Sequence, residues 1–542
     1  TTAIEYERTS WSNALSLQTD LTSNSWLVLD ALERVGSTEP TLHLAQLTWQ
    51  RLKSWITQLQ KVEPNCWRDK IDRSNQDFWY EEDAPVAVKY LVSRQAVSFH
   101  VPVNRFLGVF IHSAVIWSQM SLAQVLDMVG LREPSHILWW MEHPLRVLSF
   151  YSQINCGMWR RNGESLENEA EYYRANYWHY LMIDCDLLVM QLSALSLPSD
   201  LFVATVLDRF EIPPSLDPNA KIDLSPRSAC ADEYITVRMH ACLLLFAQLL
   251  AQYSQLSLTT MEELSQSHAS HWLAHDTRTH SQLHDPRLER WASSAMTKDQ
   301  KTLEKTLKSV AEFQAAGGNN WRAKYKLRDA AWIKIDPLYP RFNWPEQQQL
   351  EERLTRHFES KKMQAAQQSP SAPSGSGYPT RLPIPSANPP PDVEKSPWHA
   401  LYNNFTKAPP PSPGYDLPLR RFAASRELSA IIYILFRRLA KLDKDKKEED
   451  ETPDGRLLAI TLQLALRMIF WVGKDSHDNK DATAISMAES DKRDVIKVGT
   501  STVFSVAKVL PDNGGLAAAA TKRIQIGSLK AGTRNIYIYI YI

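Results

Sequence analysis

A chain of 542 residues has room for roughly three or four domains with sizeable cores. Its 61 basic and 61 acidic residues leave no global field to hold nucleic acid or an anionic membrane surface. Eighteen tryptophans suit helix–helix cores and interfaces. The five scattered cysteines (Cys66, Cys156, Cys185, Cys230, Cys242) form no disulfide framework and no paired Cys/His zinc spacing, and read as reduced, mostly buried thiols of an intracellular protein.

In chain order, Leu42, Ala45, Trp49, Leu52, Ile56 and Leu59 alternate spacings of three and four, which sets them on one helix face inside a larger helical scaffold. A short coiled-coil seam is the alternative. Past Pro64-Asn65 the period becomes two. Val86, Val88, Tyr90 and Val92, then Val97, Phe99 and Val101, flank a polar turn at Ser93–Gln95 and predict a β-hairpin near 86–101. His100, opposite Phe99, reads as a surface or hydrogen-bonded residue rather than a metal ligand.

Residues 103–252 read as successive helices with short polar breaks, completing a helical scaffold over 1–254. Within it, Met141–Asn168 is the most informative stretch. Pro144 suits the first turn of a helix, where its missing N–H is not needed. Val147, Phe150, Tyr151, Ile154 and Met158 then form one apolar stripe, closed by Trp159. Asn162-Gly163 is the predicted stop, with Arg160 and Arg161 on the corner, and Ser165 caps the next helix with Glu167 near its positive end. Ser199 or Asp200 caps a helix whose Leu201, Val203, Val206, Leu207 and Phe210 turn inward. Ile212–Arg227 is a Pro-rich loop, and Asp232 opens a long helix ending near Tyr253. Ala241–Ala251 is too short to span a bilayer, and Leu457–Val472 is interrupted by Gln463 and Arg467. Both read as core helices, and no membrane association is expected.

Thr259–Phe342 differs in character. A helix through Met261–Ala274, the polar Thr279–Leu283 and a helix with Leu303, Leu307, Val310 and Phe313 on one face precede a turn at Gly317-Gly318-Asn319. Ala323, Tyr325 and Leu327 then alternate as a strand. Three helices followed by strand and turn is the order of a winged helix, placed at 258–345. His268, His271, His275, His280 and His284 cluster here, but without cysteine or a metalloprotease constellation they read as solvated and weakly basic. A charged helix at Pro345–Lys362 leads into a Pro/Ser-rich linker over 363–418, a spacer with polyproline character. Apolar helices at Arg421–Leu442 and Leu457–Val472 make a helical segment over 419–475, split by the charge run Lys441–Glu451. The tail, 476–542, ends in IYIYIYI at Ile536–Ile542, an aggregation-prone edge if left alone. Mainly α, with one hairpin and an α+β winged helix, is the fold class.

Two stretches carry a resemblance. EHPLR at Glu142–Arg146, followed by GMWRRNG at Gly157–Gly163, is similar to the central region of the UBR-family N-recognins, E3 ubiquitin ligases of the N-degron pathway. The likeness continues through Tyr172-Tyr173, Asp186–Gln191 and Asp208-Arg209-Phe210, and upstream through Val97–Pro102 and Arg105-Phe106-Leu107. Tyr325-Lys326-Leu327 and Ile335–Pro340 resemble the end of the winged-helix domain in the same ligases. Interrupted in places, the match spans about 85–345. It implies part of a RING-type E3 ubiquitin transferase that acts with a ubiquitin-charged E2 on N-degron substrates, in the cytoplasm and also the nucleus.

The zinc-rich UBR box and RING of that family need dense Cys/His ligands, and this sequence has no such cluster. Neither a phosphate loop nor a nucleophile elbow occurs. The expectation is therefore a chain inactive alone, with no catalytic, cofactor or metal residue to assign, the family's zinc lying outside it. Opening at Thr1 without Met suggests a fragment. Two other classes remain: a non-catalytic helical adaptor binding partners through its surfaces and Pro-rich linker, and a nucleic-acid binder using the winged helix, which the balanced charge argues against.

Overall fold

The computed structural model describes residues 11–35, 38–62, 67–68, 87–88, 90–100, 102–159, 164–174, 182–212, 234–250, 261–283, 300–316, 322–368, 523–531 and 534–541. Isolated positions within those runs (94, 96, 119, 156, 341 and 343) are excepted, and scattered positions between 421 and 468 are added. The chain divides into two compact units. One takes residues 1–173, 181–250 and 412–542; the other takes 174–180 and 251–411.

The first unit is helical: α1 (Trp11–Val35), α2 (Glu39–Val62), α3 (Pro102–Ser118), α4 (Leu122–Val129), α5 (Pro134–Asn155), α6 (Glu164–Arg174), α7 (Ile183–Ser196), α8 (Ser199–Arg209) and α9 (Ile235–Leu250). Of the α2 stripe, Leu42, Ala45, Trp49, Leu52 and Ile56 are buried, and Leu59, in the helix's last turn, is half-buried. α3 and α5 face α7, and at Gly108 the approach is so close that an added Cβ would sit 2.7 Å from Val189 Cγ2. Helical residues between 421 and 468 pack onto the same unit. Phe422 lies edge-on to Phe202 at 5.5 Å, and Arg467, fully buried, donates to the Ala247 carbonyl at 3.0 Å.

α5 begins ten residues before Pro144, not at it. A proline inside a helix removes the hydrogen bond to the carbonyl four residues back, here that of Trp140. The structure repairs the loss: Asn104 Nδ2 of α3 donates to the Trp140 carbonyl at 3.1 Å, and Trp140 Nε1 returns a bond to the Asn104 carbonyl at 3.2 Å. The helix stops at Gly157 rather than at Asn162-Gly163. Gly157 has φ 78°, its N–H reaches the Ile154 carbonyl at 2.8 Å, and the Met158 N–H reaches that of Gln153 at 3.1 Å. This is the paired 5→2 and 6→1 closure that a left-handed glycine allows. Residues 160–163 lie outside the described residues. At α8 the N-cap is Pro198, with no side-chain capping bond; Asp200 instead accepts from Ser425 Oγ at 3.0 Å.

The expected pairing within 86–101 is not formed as read. β2 (Ala87–Val88) pairs antiparallel with β1 (Trp67–Arg68), Trp67 opposite Val88. The turn is real, closed by the Gln95 N–H on the Leu91 carbonyl at 3.0 Å. Beyond it Val97 and Phe99 are buried but follow irregular backbone. Alternating burial needs one core-facing side, which an extended segment lying on helices satisfies without a ladder.

In the second unit, α10 (Met261–His275), α11 (His280–Leu283) and α12 (Gln300–Val310) precede β3 (Ala311–Gln314) and β4 (Lys324–Leu327), followed by a 3-10 turn (Asp329–Lys334) and α13 (Trp344–Gln368). β3 and β4 form an antiparallel hairpin, Phe313 opposite Tyr325, and Arg278 bridges to Tyr325 on the other side of β4. Leu273, Leu307, Leu327, Trp332 and Leu350 centre this unit's own core. Phe313 is the correction here: the helix ends at Val310, and Phe313 stands on β3 with 62 % of its surface exposed. Among the expected linker residues, 363–368 continue α13, and 369–418 lie outside the described residues. The IYIYIYI run is not a lone strand, since β6 (Arg534–Tyr541) pairs antiparallel with β5 (Arg523–Ala531). Among the described residues, no helix is long and apolar enough to cross a membrane.

Candidate functional site

Charged residues inside apolar runs set the site. Arg105 sits in NRFLGVF on α3 and Asp186 in CDLLVM on α7, and both side chains are fully buried. Buried charge is tolerated only when paired and hydrogen-bonded. Here the pairing is bidentate: Arg105 Nε reaches Asp186 Oδ1 at 2.8 Å and Nη2 reaches Oδ2 at 2.7 Å. The Tyr173 hydroxyl of α6 donates to the same Oδ2 at 2.9 Å, with its ring packed between Phe99 and Tyr151. Burial works against the Arg105 charge, but Asp186 outweighs it, so the guanidinium holds its proton more firmly than usual. Burial, and then Asp186, push the Tyr173 phenol well above its ordinary range.

A second cluster is built on the EHPLR stretch. Glu142 accepts from Arg209 Nη2 at 2.9 Å and from Arg146 Nε at 2.6 Å. Arg146 lies 3.6 Å from the centre of the Tyr90 ring, a cation–π contact, and Arg209 Nη1 donates to the Tyr90 carbonyl. Burial alone would raise the Glu142 carboxyl, yet its two arginines hold it below the usual range. Between the clusters, His143 is pushed far down by burial and then by Arg105 and Arg146, so its ring is neutral. His100 is lowered to about 4 by burial and Arg105. Neither a surface residue nor one held by ring hydrogen bonds, it is half-buried beside a buried cation, and among the described residues its ring nitrogens meet no partner.

A third anchor completes the frame. Just past α8, Glu211 takes a left-handed conformation, φ 55°, that a non-glycine residue rarely adopts. Its carboxylate accepts from the Ser93 N–H and hydroxyl, both at 2.7 Å, and from Arg238 Nη1 of α9 at 3.1 Å. It thereby clamps the 91–95 turn onto two helices.

The motif residues thus converge, and as architecture. Glu142, Arg146, Tyr173, Asp186 and Arg209 are cluster members, Gly157 is the helix stop, and Leu145 is core. Tyr172 stays outside, 41 % exposed. Trp159 is half-buried, its Nε1 donating to Gln153 Oε1 at 3.1 Å and its ring edge-on to Phe150 at 5.2 Å. The thiols of Cys185 and Cys242 are buried and pushed up by that burial, which makes them poor nucleophiles. Cys156 lies outside the described residues.

In the winged-helix unit the histidines are not uniformly solvated. His271 is buried and stacked on Tyr339 at 4.1 Å. Its Nδ1 meets the Ser267 carbonyl at 2.7 Å and its Nε2 accepts the Asp336 N–H at 3.0 Å, which fixes a neutral tautomer protonated on Nδ1. His280 is exposed, and Arg353 donates to the His275 carbonyl. Among the described residues, no group of three or more His, Cys, Asp or Glu could hold a metal ion.

A helical unit held by internal ion pairs is thus joined in sequence to a unit with the helix and hairpin order of a winged helix. The chain is similar to known proteins in both parts. Residues 1–218 match the UBR1/2/3-like ARM repeat domain, and residues 265–369 match the winged-helix domain described as E3 ubiquitin-protein ligase UBR1-like. E3 ubiquitin-protein ligase PRT6 of Arabidopsis thaliana is 28% identical over 288 residues, covering 50% of this chain and 14% of the relative. E3 ubiquitin-protein ligase Ubr3 of Drosophila melanogaster is 30% identical over 249 residues, 45% of this chain and 10% of its own length. E3 ubiquitin-protein ligase UBR2 of Homo sapiens is 35% identical over 127 residues, 23% of this chain and 7% of its own. The two domain matches together cover more than half of the chain, which belongs to the UBR family of E3 ubiquitin ligases. It spans only about a tenth of the length of these relatives.

Proposed function

We propose that this chain is the spacing body of an E3 ubiquitin ligase of the N-degron pathway, holding an N-degron substrate at a fixed distance and angle from a RING-bound, ubiquitin-charged E2. The observation that carries the reading is the Arg105–Asp186–Tyr173 cluster with its neighbour at Glu142. The bidentate, fully desolvated Arg105–Asp186 pair and the single-contact, nearly buried Arg209–Glu142 pair lock helices that lie far apart in sequence. Ubiquitin transfer needs a thioester and a lysine brought together, so a rigid spacer contributes to rate through proximity and orientation. On this reading the chain alone binds no zinc, grips no E2 and catalyses nothing. It works in the cytoplasm and nucleus through partners that the rest of the ligase recruits, and needs neither nucleic acid nor a membrane.

The test has two arms. Incubated alone with E1, E2, ubiquitin and ATP, the chain discharges no E2 thioester above the blank. Fused between a UBR box and a RING it supports substrate ubiquitination, whereas a flexible linker of equal length in its place does not. Equal activity with the flexible linker would mean that tethering alone suffices and that the scaffold's geometry is irrelevant.

A further inference from the structure

The hydrogen bonding of the wing leaves one residue unused. Tyr325 of β4 donates its N–H to the Arg278 carbonyl at 2.7 Å and accepts the Arg278 N–H at 3.2 Å. In an antiparallel ladder both main-chain groups of a residue point to the same side. Tyr325 therefore spends both on Arg278, and its cross-strand partner Phe313 is a non-hydrogen-bonded position. The N–H and carbonyl of Phe313 consequently point away from β4, along the outer edge of β3. At the neighbouring outward position, Ala311, Arg328 Nε takes the carbonyl at 2.8 Å. Among the described residues, the Phe313 main-chain groups meet no partner.

The same residue carries the exposed aromatic ring. Phe313 is 62 % exposed, its ring 5.4 Å from that of Tyr325, and Ala315 and Ala316 beyond it are exposed as well. A strand edge with unpaired main chain is an invitation to a further strand, which proteins ordinarily blunt by proline, charge or cover. Charge indicates what fits. Between residues 308 and 328 the chain places Lys308, Arg322, Lys324, Lys326 and Arg328 against Glu312 alone. Glu312 itself sits opposite Lys326.

We propose that the outer edge of β3 at Phe313 is a docking site for an extended acidic segment of a partner protein. The segment pairs its main chain with Phe313, sets one apolar side chain on the Phe313–Tyr325 rings, and turns its carboxylates toward Lys324, Lys326 and Arg322. Strand addition of this kind takes affinity from the main chain and specificity from alternate side chains. A protein segment fits better than nucleic acid, because a peptide backbone pairs with both the N–H and the carbonyl of Phe313, whereas a phosphate can accept from the N–H alone and leaves the carbonyl unmet.

The full-length chain is titrated with a fluorescent peptide of about eight residues, an ordinary strand length, alternating Asp or Glu with Val or Phe. Controls are the same peptide N-methylated at alternate amides, its Lys-substituted counterpart, and a short mixed-sequence DNA duplex. Phe313→Pro is the discriminating variant, since it deletes an N–H that no ladder bond uses and proline is accepted at such edges. Circular dichroism should show it folded, with peptide affinity down about tenfold or more, and Phe313→Ala should weaken binding with the edge intact. Undiminished binding to Phe313→Pro, or equal binding of the N-methylated peptide, would overturn the proposal. So would tighter binding of the duplex, a dissociation constant above ~1 mM for the acidic peptide, or self-association abolished by Phe313→Pro, which would make a second copy the occupant.

Discussion

Replacing Arg105 by alanine is the sharpest probe of the helical unit. The substitution leaves Asp186 as a carboxylate with no solvent access, holding only the Tyr173 hydroxyl of its partners in this cluster. Removing one member of a buried pair typically costs about 3–5 kcal/mol, because the survivor remains charged and desolvated. For a cooperative unit of this size, each kcal/mol moves the midpoint by about 2–4 °C, so the loss is on the order of 10 °C. Differential scanning calorimetry of the full chain, with far-UV circular dichroism reporting the helical transition, measures it. The control replaces the whole cluster with apolar groups, Arg105→Met, Asp186→Leu and Tyr173→Phe together. With no charge or hydroxyl left buried, most of the loss should be recovered. If Arg105→Ala shifts the midpoint by less than about 2 °C, the pair contributes little and the locking argument fails. A triple variant as unstable as the single one would show that packing, not charge burial, sets the cost.

Gly108→Ala should destabilise by about 1–3 kcal/mol, read from the urea midpoint, because the new methyl meets Val189 at 2.7 Å; a variant as stable as the parent would mean that α3 and α7 slide apart freely. Asn104→Ala removes the donor that repairs the carbonyl opened by Pro144, at a cost of about 1–3 kcal/mol, and Asn104→Ala combined with Pro144→Ala should recover part of it by restoring the helical bond. On acidification, His100 and His112 matter together. Burial lowers both to about 4 from 6.5, with Arg105 adding to the shift at His100. Unfolded chains take up these protons below pH 6.5 and the folded chain does not, so stability is full above 6.5 and falls as pH drops toward 4; His112→Gln should flatten that slope in urea titrations across pH. Glu211→Gly relieves the left-handed backbone but takes a carboxylate from Ser93 and Arg238, and a net loss of about 1–2 kcal/mol is expected, whereas a gain would show that strain outweighs the clamp.

What the sequence revealed and what it hid divide along local and non-local physics. The α2 stripe, the α10–β4 order and the strand at Tyr325 were legible because periodicity is a local property, set by which face meets a core. Pro144 misled, because the donor that rescues its helix, Asn104, comes from another helix 36 residues away in sequence. Asn162-Gly163 has the stronger stop signature, but Gly157, five residues before Asn162 and already inside the motif, carries the left-handed turn. Phe313 fitted a helical face arithmetically, yet the chain leaves the helix at Val310 to begin the wing. For the buried clusters a signal did exist. Arg105 and Asp186 each border a run of apolar residues, and a charge in that setting demands a partner, whereas Arg209, flanked by Asp208 and Glu211, carries no such signal. Which charge pairs with which, across 81 residues for Arg105 and Asp186 and 67 for Arg209 and Glu142, is tertiary information that no spacing encodes.

That division bears on why charged residues, rather than larger apolar ones, hold these helices. Apolar packing tolerates rotation and sliding, since one Leu can replace another at modest cost. A bidentate guanidinium–carboxylate pair does not, because its two parallel bonds fix both the distance and the plane between α3 and α7. The net gain in stability over an apolar core is small or negative; what such a pair supplies is one arrangement in preference to its neighbours. For an enzyme that gripped its own substrate, that preference would be an expense at a distance from the chemistry. For a body whose work is to keep two remote modules in a fixed relation, the preference is itself the product. Members of both clusters lie in stretches that resemble the UBR family, Glu142–Arg146, Tyr172-Tyr173, Asp186–Gln191 and Asp208–Phe210, which is what the proposed spacing role requires.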